Sequence, residues 1–251
     1  MTTKKPVVMI GGVSGGIGSD VARRLAAAGW QVCGFARDAA KLDALAAEIP
    51  ELLVQTVEAT DAAAVETAVK AVAEKFGRID AYVHAVGSIL IKPAHQTRIE
   101  EWQRVIELNL SSAFYALRAV VGPMQAQRSG SVVFISSVAA QAGLPAHEAI
   151  AAAKGGVNGL VLAGAASYAA KGIRVNAVAP GLVDTPLAAG LLGSEQARQF
   201  SERMHPLGKI GRAANVGSLI AWLVSPEADW VTGQIWSVDG GMAHVRQRPK
   251  V

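Results

Sequence analysis

Short apolar runs alternate with amphipathic stretches along most of the chain. The apolar runs are rich in β-branched side chains, and several carry almost no polar residue. This pattern is typical of strands in a parallel sheet that is covered on both faces. The seven runs are PVVMI (6–10), QVCGFA (31–36), LLVQTV (52–57), AYVHAV (81–86), SVVFIS (131–136), IRVNAV (173–178) and QIWSV (234–238).

Helical patterns separate these runs. Residues 20–29 and 61–77 carry apolar side chains at helical spacing, and the second stretch begins at Asp61 and ends at Gly77, which suit the two ends of a helix. A third helical pattern, residues 39–50, ends at a proline. Strands that alternate with helices predict an α/β fold, a doubly wound parallel sheet of about seven strands with helices on both faces.

The chain has 251 residues, enough for one sizeable core and too few to favour two full domains. No linker, repeat or low-complexity tract interrupts the pattern, so we predict a single domain over residues 1–251. Residues 186–212 break the rhythm with scattered glycines and the stretch HPLGKIGR. We interpret this segment as a helical insertion, or lid, over a ligand site.

Composition and charge narrow the function classes. Hydrophobic residues make up 51% of the chain and charged residues 18%, which is typical of a globular protein. The net charge of +4 comes from scattered residues and does not favour nucleic acid, although it suits a phosphorylated ligand. A single cysteine, Cys33, excludes an internal disulfide and fits a reducing compartment. With no signal peptide and no membrane-length apolar run, we predict a cytoplasmic protein without a membrane partner.

A glycine-rich stretch directly follows the first predicted strand and opens the first helix. It reads GGVSGGIG (11–18). In such a strand–loop–helix unit Gly12 permits a tight turn, Gly16 lets a diphosphate approach the backbone, and Gly18 lets the helix pack on the strand. The phosphates then lie at the helix N-terminus. The stretch therefore predicts a dinucleotide site in a Rossmann-type fold.

The end of the second strand bears on the choice of dinucleotide. An acidic residue there would bind the adenosine ribose hydroxyls of NAD, but the position is Ala36, followed by Arg37. A guanidinium suits the 2′-phosphate of NADP. Ser14 and Gly15 add no second cation in the glycine loop, which weakens the case for a bound 2′-phosphate. The other interpretation of Arg37 is an ordinary solvent-exposed arginine. We predict NADP, with NAD as the alternative.

At this point the motifs resemble those of the short-chain dehydrogenase/reductase family, in the same order and over nearly the whole chain. GGVSGGIG is similar to the family's TGxxxGxG, with Gly11 at the usual threonine. HAVG (84–87) is similar to NNAG, with His84 in the first position. Asn109 matches the asparagine of the long fourth helix, and Ser137 matches the active-site serine.

The resemblance extends to RVNAVAPGLVDTP, whose family counterpart holds the nicotinamide end, and to VTGQIWSVDGG near the C-terminus. Glu58 stands where an aspartate that contacts adenine is often found. The resemblance and the glycine motif together assign cofactor binding to Gly12, Ser14, Gly16, Ile17, Gly18, Arg37, Glu58, Ala85, Gly87, Lys154, Pro180, Gly181, Val183 and Thr185. No metal site is predicted.

One departure from the family is serious. The resemblance implies a YxxxK pair about 13 residues after the serine; the lysine is Lys154, but the tyrosine position is Ile150. No other register restores the pair, since none of the three tyrosines, Tyr82, Tyr115 and Tyr168, precedes a lysine at that spacing.

In the family the tyrosine protonates the alkoxide formed when a ketone receives hydride, and its pKa is lowered by the lysine's charge. The resemblance also implies that Ser137 polarises the carbonyl, that Lys154 binds the nicotinamide ribose, and that Asn109 holds a water. Loss of a general acid costs roughly 100- to 10,000-fold in rate. His147, three residues before Ile150, is one candidate replacement on the same predicted helix face; a water relayed by Lys154 and Asn109 is another.

Two interpretations of the whole chain stay open. The first is an NADP-dependent oxidoreductase that reduces a carbonyl, 3-oxoacyl-like or a small ketone, or an activated double bond, with an unusual proton donor. The second is a catalytically silent NADP-binding protein that acts through assembly or sensing. The sequence names no substrate. The small residues of the predicted helix near 146–170 allow close approach of another helix, and the resemblance implies a homodimer or homotetramer.

Overall fold

A computed structural model describes residues 5–246 and places seven parallel strands in one sheet. The strands are β1 (Val7–Gly11), β2 (Gln31–Ala36), β3 (Leu53–Thr56), β4 (Ala81–His84), β5 (Gly130–Ile135), β6 (Ile173–Pro180) and β9 (Ile235–Val238). Their order in the sheet is β3-β2-β1-β4-β5-β6-β9, and every neighbouring pair is parallel. Each apolar run of the sequence overlaps one of these strands, so the predicted doubly wound sheet is confirmed.

Helices cover both faces of the sheet. On one face lie α1 (Gly16–Ala27), α2 (Ala39–Glu48) and α8 (Ala213–Val224), whose apolar sides form one core cluster with the strands. On the other face lie α3 (Ala62–Phe76), α5 (Ser112–Gln127) and α6 (Glu148–Tyr168), which form a second cluster. Each cluster contains buried β-branched strand residues, such as Val8 in the first and Val132 in the second. Both faces of the sheet are therefore covered by helices.

The helix α4 (Ile99–Ile106) continues through a π-turn (Glu107–Ser111) into α5. The chain reverses its direction across the sheet between β1 and β4, since β2 and β3 lie on one side and β5, β6 and β9 on the other. In open parallel sheets a ligand crevice forms beyond the carboxyl ends of the strands at this reversal. The predicted dinucleotide site therefore lies where this fold offers a crevice.

Residues 186–212, the predicted insertion, form a short 3₁₀-helix (Pro186–Leu191), the helix α7 (Glu195–Met204) and the two-residue strand β8 (Gly211–Arg212). This strand pairs with β7 (Val183–Asp184), outside the main sheet. The segment leaves the carboxyl end of β6 and returns beside it, so it is held next to the crevice at both ends.

Two helical stretches, Ile99–Gln127 and Glu148–Lys171, are long and apolar enough to cross a membrane by length and composition. Half of the most apolar window of the first, and 44% of that of the second, is buried inside the fold. Core helices of water-soluble proteins pass the same test, because their apolar side chains face a protein interior.

Candidate active site

The glycine loop forms a close-packed cradle between β1 and α1. Gly12 has a φ of +76°, and a Cβ atom there would lie 2.7 Å from the carbonyl oxygen of Ala85. A Cβ atom on Gly16 would lie 2.7 Å from Cγ2 of Thr185, and one on Gly18 would clash with the carbonyl of Gly12. Side chains are therefore excluded at all three positions, in agreement with the predicted spacing of the motif.

This cradle fits a diphosphate. The first backbone N–H groups of a helix have no partner within the helix, and the N-cap residue of α1 is Gly15, which offers no side chain to bind them. No acidic residue lies in the first turn of α1. The N–H groups and the helix dipole thus favour an anion at this point. Ser14 lies half-buried in the same turn.

Arg37 and Glu58, which the sequence predicts for the adenosine end of the cofactor, lie just beyond the carboxyl ends of β2 and β3. Nη1 of Arg37 lies 3.6 Å from Oε2 of Glu58, and both side chains are about half exposed. Their opposite charges partly cancel, which the separate interpretation of the two residues did not anticipate. An exposed ion pair of this kind contributes little stability, roughly 0–1 kcal/mol, so a phosphate can compete for the guanidinium.

Lys154 and Asn109 meet beneath the loop that follows β4. Nζ of Lys154 donates to the carbonyl oxygen of Ile135 at 2.7 Å, and its burial lowers the pKa of the ammonium to about 8. Oδ1 of Asn109 accepts from the backbone N–H of Ser88 at 3.0 Å. A Cβ atom on Gly87 would lie 2.8 Å from Oδ1 of Asn109 and 3.4 Å from Nζ of Lys154, so this glycine lets both approach the loop.

Asn109 is held by the π-turn between α4 and α5. Its Nδ2 donates to the carbonyl oxygen of Val105 at 3.0 Å and to Oγ of Ser88 at 2.9 Å. The side chain is fully buried. A π-turn frees a carbonyl from the regular helix ladder, and the amide of Asn109 takes its place as the partner. Ser88 was missed in the sequence because a serine in a loop carries no signal of its own.

Ser137 follows β5 and begins a short 3₁₀-helix (Val138–Ala140). Its Oγ accepts from the backbone N–H of Ala139 at 3.1 Å. A hydroxyl that accepts in this way keeps its proton for another acceptor, such as a carbonyl oxygen. The side chain is half-buried and faces two adjoining cavities.

The inner cavity has a volume of about 140 Å³ and contains most of the residues predicted for the nicotinamide end. Ser137 lies at its boundary with the outer cavity. Ten of the lining residues fall within the predicted site, namely Ile17, Ala85, Gly87, Asn109, Ser137, Lys154, Pro180, Gly181, Val183 and Thr185, and Ile150 lines the cavity beside them. The structure thus brings together residues from six separate stretches of the sequence.

The outer cavity has a volume of about 490 Å³ and lies under the segment 186–212. Its walls come from the loop after β4, the loop before α6, and α7. Most of its lining residues are apolar and gave no signal in the sequence, because hydrophobic residues in loops also serve the core. Among them are Ile89, Ile91, Leu144, Leu182, Leu191, Phe200, Met204 and Met242.

Ile150 lies at the junction of the two cavities and lines both. Only 5% of the residue is exposed, and it packs in a small apolar cluster with Val105, Ala149 and Ala153. The expected phenol is therefore replaced by a hydrocarbon surface beside Ser137. No titratable group of α6 other than Lys154 reaches the inner cavity.

His147 precedes α6 rather than lying in its first turn, and this corrects the predicted helix start. Ala146 has a φ of +62°, and His147 is the N-cap residue, so the turn before the helix sets its direction. The ring Nδ1 donates to the carbonyl oxygen of Pro145 at 2.7 Å. The ring lines the outer cavity together with Ser137 and Ile150, while Lys154 lines the inner one only.

His84 is buried in a hydrogen-bonded chain that explains two departures from the family motifs. Oη of Tyr82 lies 3.0 Å from Nδ1 of His84, and Nε2 of His84 lies 3.0 Å from Oγ of Ser112, which donates to Leu108. The serine proton is therefore used, so Nε2 donates and Nδ1 accepts from Tyr82. Burial, and then the charge of Lys154, lowers the pKa of His84 to about 3, in agreement with a neutral ring.

Gly11 is the second departure, and it accommodates this chain. A Cβ atom at Gly11 would lie 2.6 Å from Oη of Tyr82 and 2.8 Å from Cζ of Phe35. The space that a threonine side chain would need is thus filled by the two rings. His84 serves the packing of β1 and β4 and does not line either cavity.

His205 is also structural. Its Nδ1 donates to the carbonyl oxygen of Ser201 at 2.7 Å, and its Nε2 accepts from the backbone N–H of Leu182 at 3.1 Å. A Cβ atom on Gly181 would lie 2.6 Å from the same Nε2. The histidine therefore fastens the end of α7 to the loop after β6, where it closes the wall of the outer cavity.

Comparison with known proteins agrees with this geometry. Residues 12–243 match the family model described as enoyl-(acyl carrier protein) reductase. The 3-oxoacyl-(acyl-carrier-protein) reductase of Synechocystis sp. is 36% identical over 242 residues, which cover 94% of this chain and 96% of that protein. The 3beta-hydroxysteroid dehydrogenase 1 of Eggerthella lenta is 35% identical over 245 residues, which cover 95% and 94%.

A solved structure leads to the same family. A variant of actinorhodin polyketide ketoreductase with NADPH superimposes with a TM-score of 0.93 at 30% identity, and the match covers 98% of this chain and 100% of that one. Fold, motif order and near-complete coverage coincide. The chain therefore belongs to the short-chain dehydrogenase/reductase family of oxidoreductases.

Proposed function

We propose that this protein is an NADP(H)-dependent oxidoreductase that reduces a carbonyl to an alcohol, with His147 as the proton donor in place of the missing tyrosine. The observation that carries the proposal is the outer cavity, whose wall contains Ser137, His147 and Ile150 together. This cavity adjoins the inner one, where Lys154 and Asn109 lie.

Each side chain has a separate task in this reaction. The hydroxyl of Ser137 donates to the substrate oxygen and polarises the carbonyl. Lys154, largely an ammonium below its pKa of about 8, holds the ribose hydroxyls next to the nicotinamide. Asn109 fixes the loop at Ser88 that forms the floor of the inner cavity. NADPH, when bound, supplies the hydride to the carbonyl carbon.

His147 completes the proton balance. Its Nδ1–H is fixed on the carbonyl of Pro145, and its Nε2 has no hydrogen-bond partner among residues 5–246. As an imidazolium the ring donates the Nε2 proton to the alkoxide and becomes neutral. In the reverse direction the neutral Nε2 accepts the proton of an alcohol. The hydrogen bond of Nδ1 to Pro145 therefore fixes the ring so that Nε2, the proposed donor atom, faces away from this carbonyl.

The choice of NADP(H) rests on Arg37, which stands at the end of β2 without an acidic residue at the preceding position. The glycine cradle fits the diphosphate of either dinucleotide. A related ketoreductase structure contains NADPH, which supports the same choice. NAD is the alternative, because Glu58 lies within reach of Arg37 and a carboxylate suits ribose hydroxyls.

The second candidate function is a silent NADP-binding protein, and one observation favours it. Ile150 packs in an apolar cluster and covers the junction of the cavities without a polar atom. Lys154 and Asn109 would then persist for cofactor binding and for the fold of the loop. The two candidates share every cofactor contact and differ only in turnover.

Turnover separates them. We would follow NADPH oxidation with a panel of ketones and enoyl compounds and compare His147→Ala with His95→Ala, a surface histidine that lines neither cavity. The His147 variant should lose about 100-fold or more in rate with unchanged NADPH affinity, and the His95 variant should match the parent. An unchanged rate for His147→Ala excludes it as the donor. A parent that binds NADPH but reduces nothing supports the silent protein.

We also infer a cytoplasmic location. Cys33 is the single cysteine, and its burial raises the pKa of the thiol to about 12, so the side chain is a packed apolar group rather than a reactive thiol. A protein without an internal disulfide suits a reducing compartment.

A further inference from the structure

We infer that the outer cavity takes an uncharged, hydrophobic ketone, or the matching secondary alcohol, whose reacting oxygen is its only polar group inside the cavity. That this oxygen reacts rests on the proposed function. The class of ligand rests on the cavity walls alone.

No lysine, arginine, aspartate or glutamate lines the outer cavity among the residues that the structure describes. Ile89, Leu144, Ile150, Leu182 and Met204 contribute hydrocarbon surface from separate segments. Ile150 matters most, because it places an apolar group beside the position where Ser137 meets the substrate. A tyrosine there would have offered a second polar contact.

Four polar side chains line the cavity, and two of them are already used. Oγ of Ser201 donates to the carbonyl oxygen of Ala197 at 2.9 Å, and both ring nitrogens of His205 bind backbone groups. Of the four, only Ser137 and His147 keep a side-chain donor for a ligand. In the proposed reaction both act on the same substrate oxygen, so a second acceptor group of the ligand finds no side-chain donor in this wall.

The mouth of the cavity is hydrophobic as well. Phe200 is 60% exposed and Ile91 is 43% exposed, although both line the cavity. Exposed large apolar groups beside an apolar cavity favour entry of a hydrocarbon ligand. The volume of about 490 Å³ lies in the range of small-molecule sites, roughly 300–1,000 Å³.

A carboxylate or phosphate at the apolar walls of this cavity would lose its hydration without gaining a lysine or arginine partner, and in the proposed reaction the proton of His147 goes to the reacting oxygen. Burial of an unpaired charge is far more costly than burial of a methyl group of the same size. The walls therefore select against acidic substrates, while a bulkier alkyl substituent gains affinity with the apolar area it buries.

A matched ligand pair tests this. We would measure binding of 4-butylcyclohexanone and 4-oxocyclohexanepropanoate by calorimetry in the presence of NADP⁺, which cannot reduce a ketone, so binding is separated from turnover. The two ligands share ring and length and differ in the charged end. The neutral ketone should bind about 30-fold or more tightly than the acid.

Phe200→Lys supplies the missing cation at the wall, and Leu207→Lys, 70% exposed and outside the lining, is the control. Phe200→Lys should raise the affinity for the acid by up to about fivefold and weaken that for the neutral ketone, while Leu207→Lys leaves both unchanged. Equal or tighter binding of the acid to the parent overturns the inference, and so does absence of binding of both ligands. If the ketone binds but NADPH is not oxidised, the proposed function fails and the ligand class stands.

Discussion

Ile150 and Lys154 lie one helical turn apart on α6, and both line the inner cavity, so a hydrocarbon side chain stands beside the buried ammonium where the family has a phenol. Nζ of Lys154 remains bound to the carbonyl of Ile135 at 2.7 Å. The lysine site is therefore intact without the tyrosine. We propose that the active site departs from the family only at the tyrosine donor, whose task His147 takes over.

Lys154 should make stability depend on pH in a defined window. Burial lowers its pKa from 10.5 to about 8 in the folded chain. Between these values the unfolded chain binds more protons than the folded one, so the free energy of unfolding rises with pH. Below the folded pKa both states are charged, and the cost of burying the ammonium is present in full.

Lys154→Met removes this titration. The stability of the variant relative to the parent should therefore fall by about 2–3 kcal/mol between about pH 7 and about pH 10. Urea unfolding of both cofactor-free proteins at several pH values measures it. A difference that stays constant with pH would show that Lys154 titrates as a solvated lysine.

Arg37 and Glu58 should set the cofactor preference together. Their side chains lie 3.6 Å apart, so the carboxylate opposes a phosphate bound to the guanidinium. NADPH should bind more tightly than NADH, and Arg37→Ala should erase most of the difference, because a charge-assisted contact contributes roughly 1.5–3 kcal/mol. Glu58→Gln should strengthen NADPH binding alone. Calorimetric titration decides it, and NADH affinity equal to or above that of NADPH in the parent contradicts the assignment.

The packing of Gly11 against Tyr82 is testable by a double-mutant cycle. Gly11→Ala places a methyl group 2.6 Å from Oη of Tyr82, and such overpacking costs about 1–3 kcal/mol. Tyr82→Phe removes that oxygen, so Gly11→Ala should cost less in the Tyr82→Phe background. Denaturant unfolding of the four proteins gives the coupling. Costs that add within about 0.5 kcal/mol would mean that the two positions do not interact.

The strands and the glycine cradle were predictable because their signals are local. The run SVVFIS shows within six residues that both faces of its strand are buried. The turn after β1 requires a φ of +76° at position 12, and glycine is the residue that adopts it most readily. The start of α6 was not predictable, because Ala146 adopts a positive φ and alanine has no preference for that conformation. Asn109 in the π-turn donates to Ser88, which lies 21 residues away in the sequence, so this contact was not predictable locally.

The outer cavity was even less accessible to sequence reasoning. Its walls bring Ile89, Leu144 and Phe200 together from segments more than fifty residues apart. Each of these residues reads as an ordinary apolar position, because the same side chains fill cores. The ion pair of Arg37 with Glu58 was also missed, because it depends on β2 and β3 being neighbours in the sheet although they are separate in the sequence.

The exposed face of α6 should form an interface between copies of the chain. A Cβ atom on Gly155 or Gly159 would have no atom of residues 5–246 within 4 Å beyond its own helix and chain neighbours, and Leu162 on the same face is 55% exposed. Small residues let a second helix approach closely. We propose a homodimer or homotetramer, and light scattering should show it. Gly159→Arg should yield monomers, whereas Ala27→Arg on the opposite layer should not. A monomeric parent contradicts this proposal.

The most direct measurement is NADPH oxidation by the Ile150→Tyr variant with simple activated ketones, compared with the parent. The substitution places a phenol one turn before Lys154, whose charge lowers the phenol pKa and favours proton transfer. The ring replaces a buried side chain, so melting temperatures and NADPH affinity serve as controls for folding and for the cofactor site. We predict a folded, NADPH-binding variant that reduces these ketones faster than the parent. A folded, NADPH-binding variant with no gain on any ketone would contradict the claim that the active site departs from the family only at the tyrosine donor.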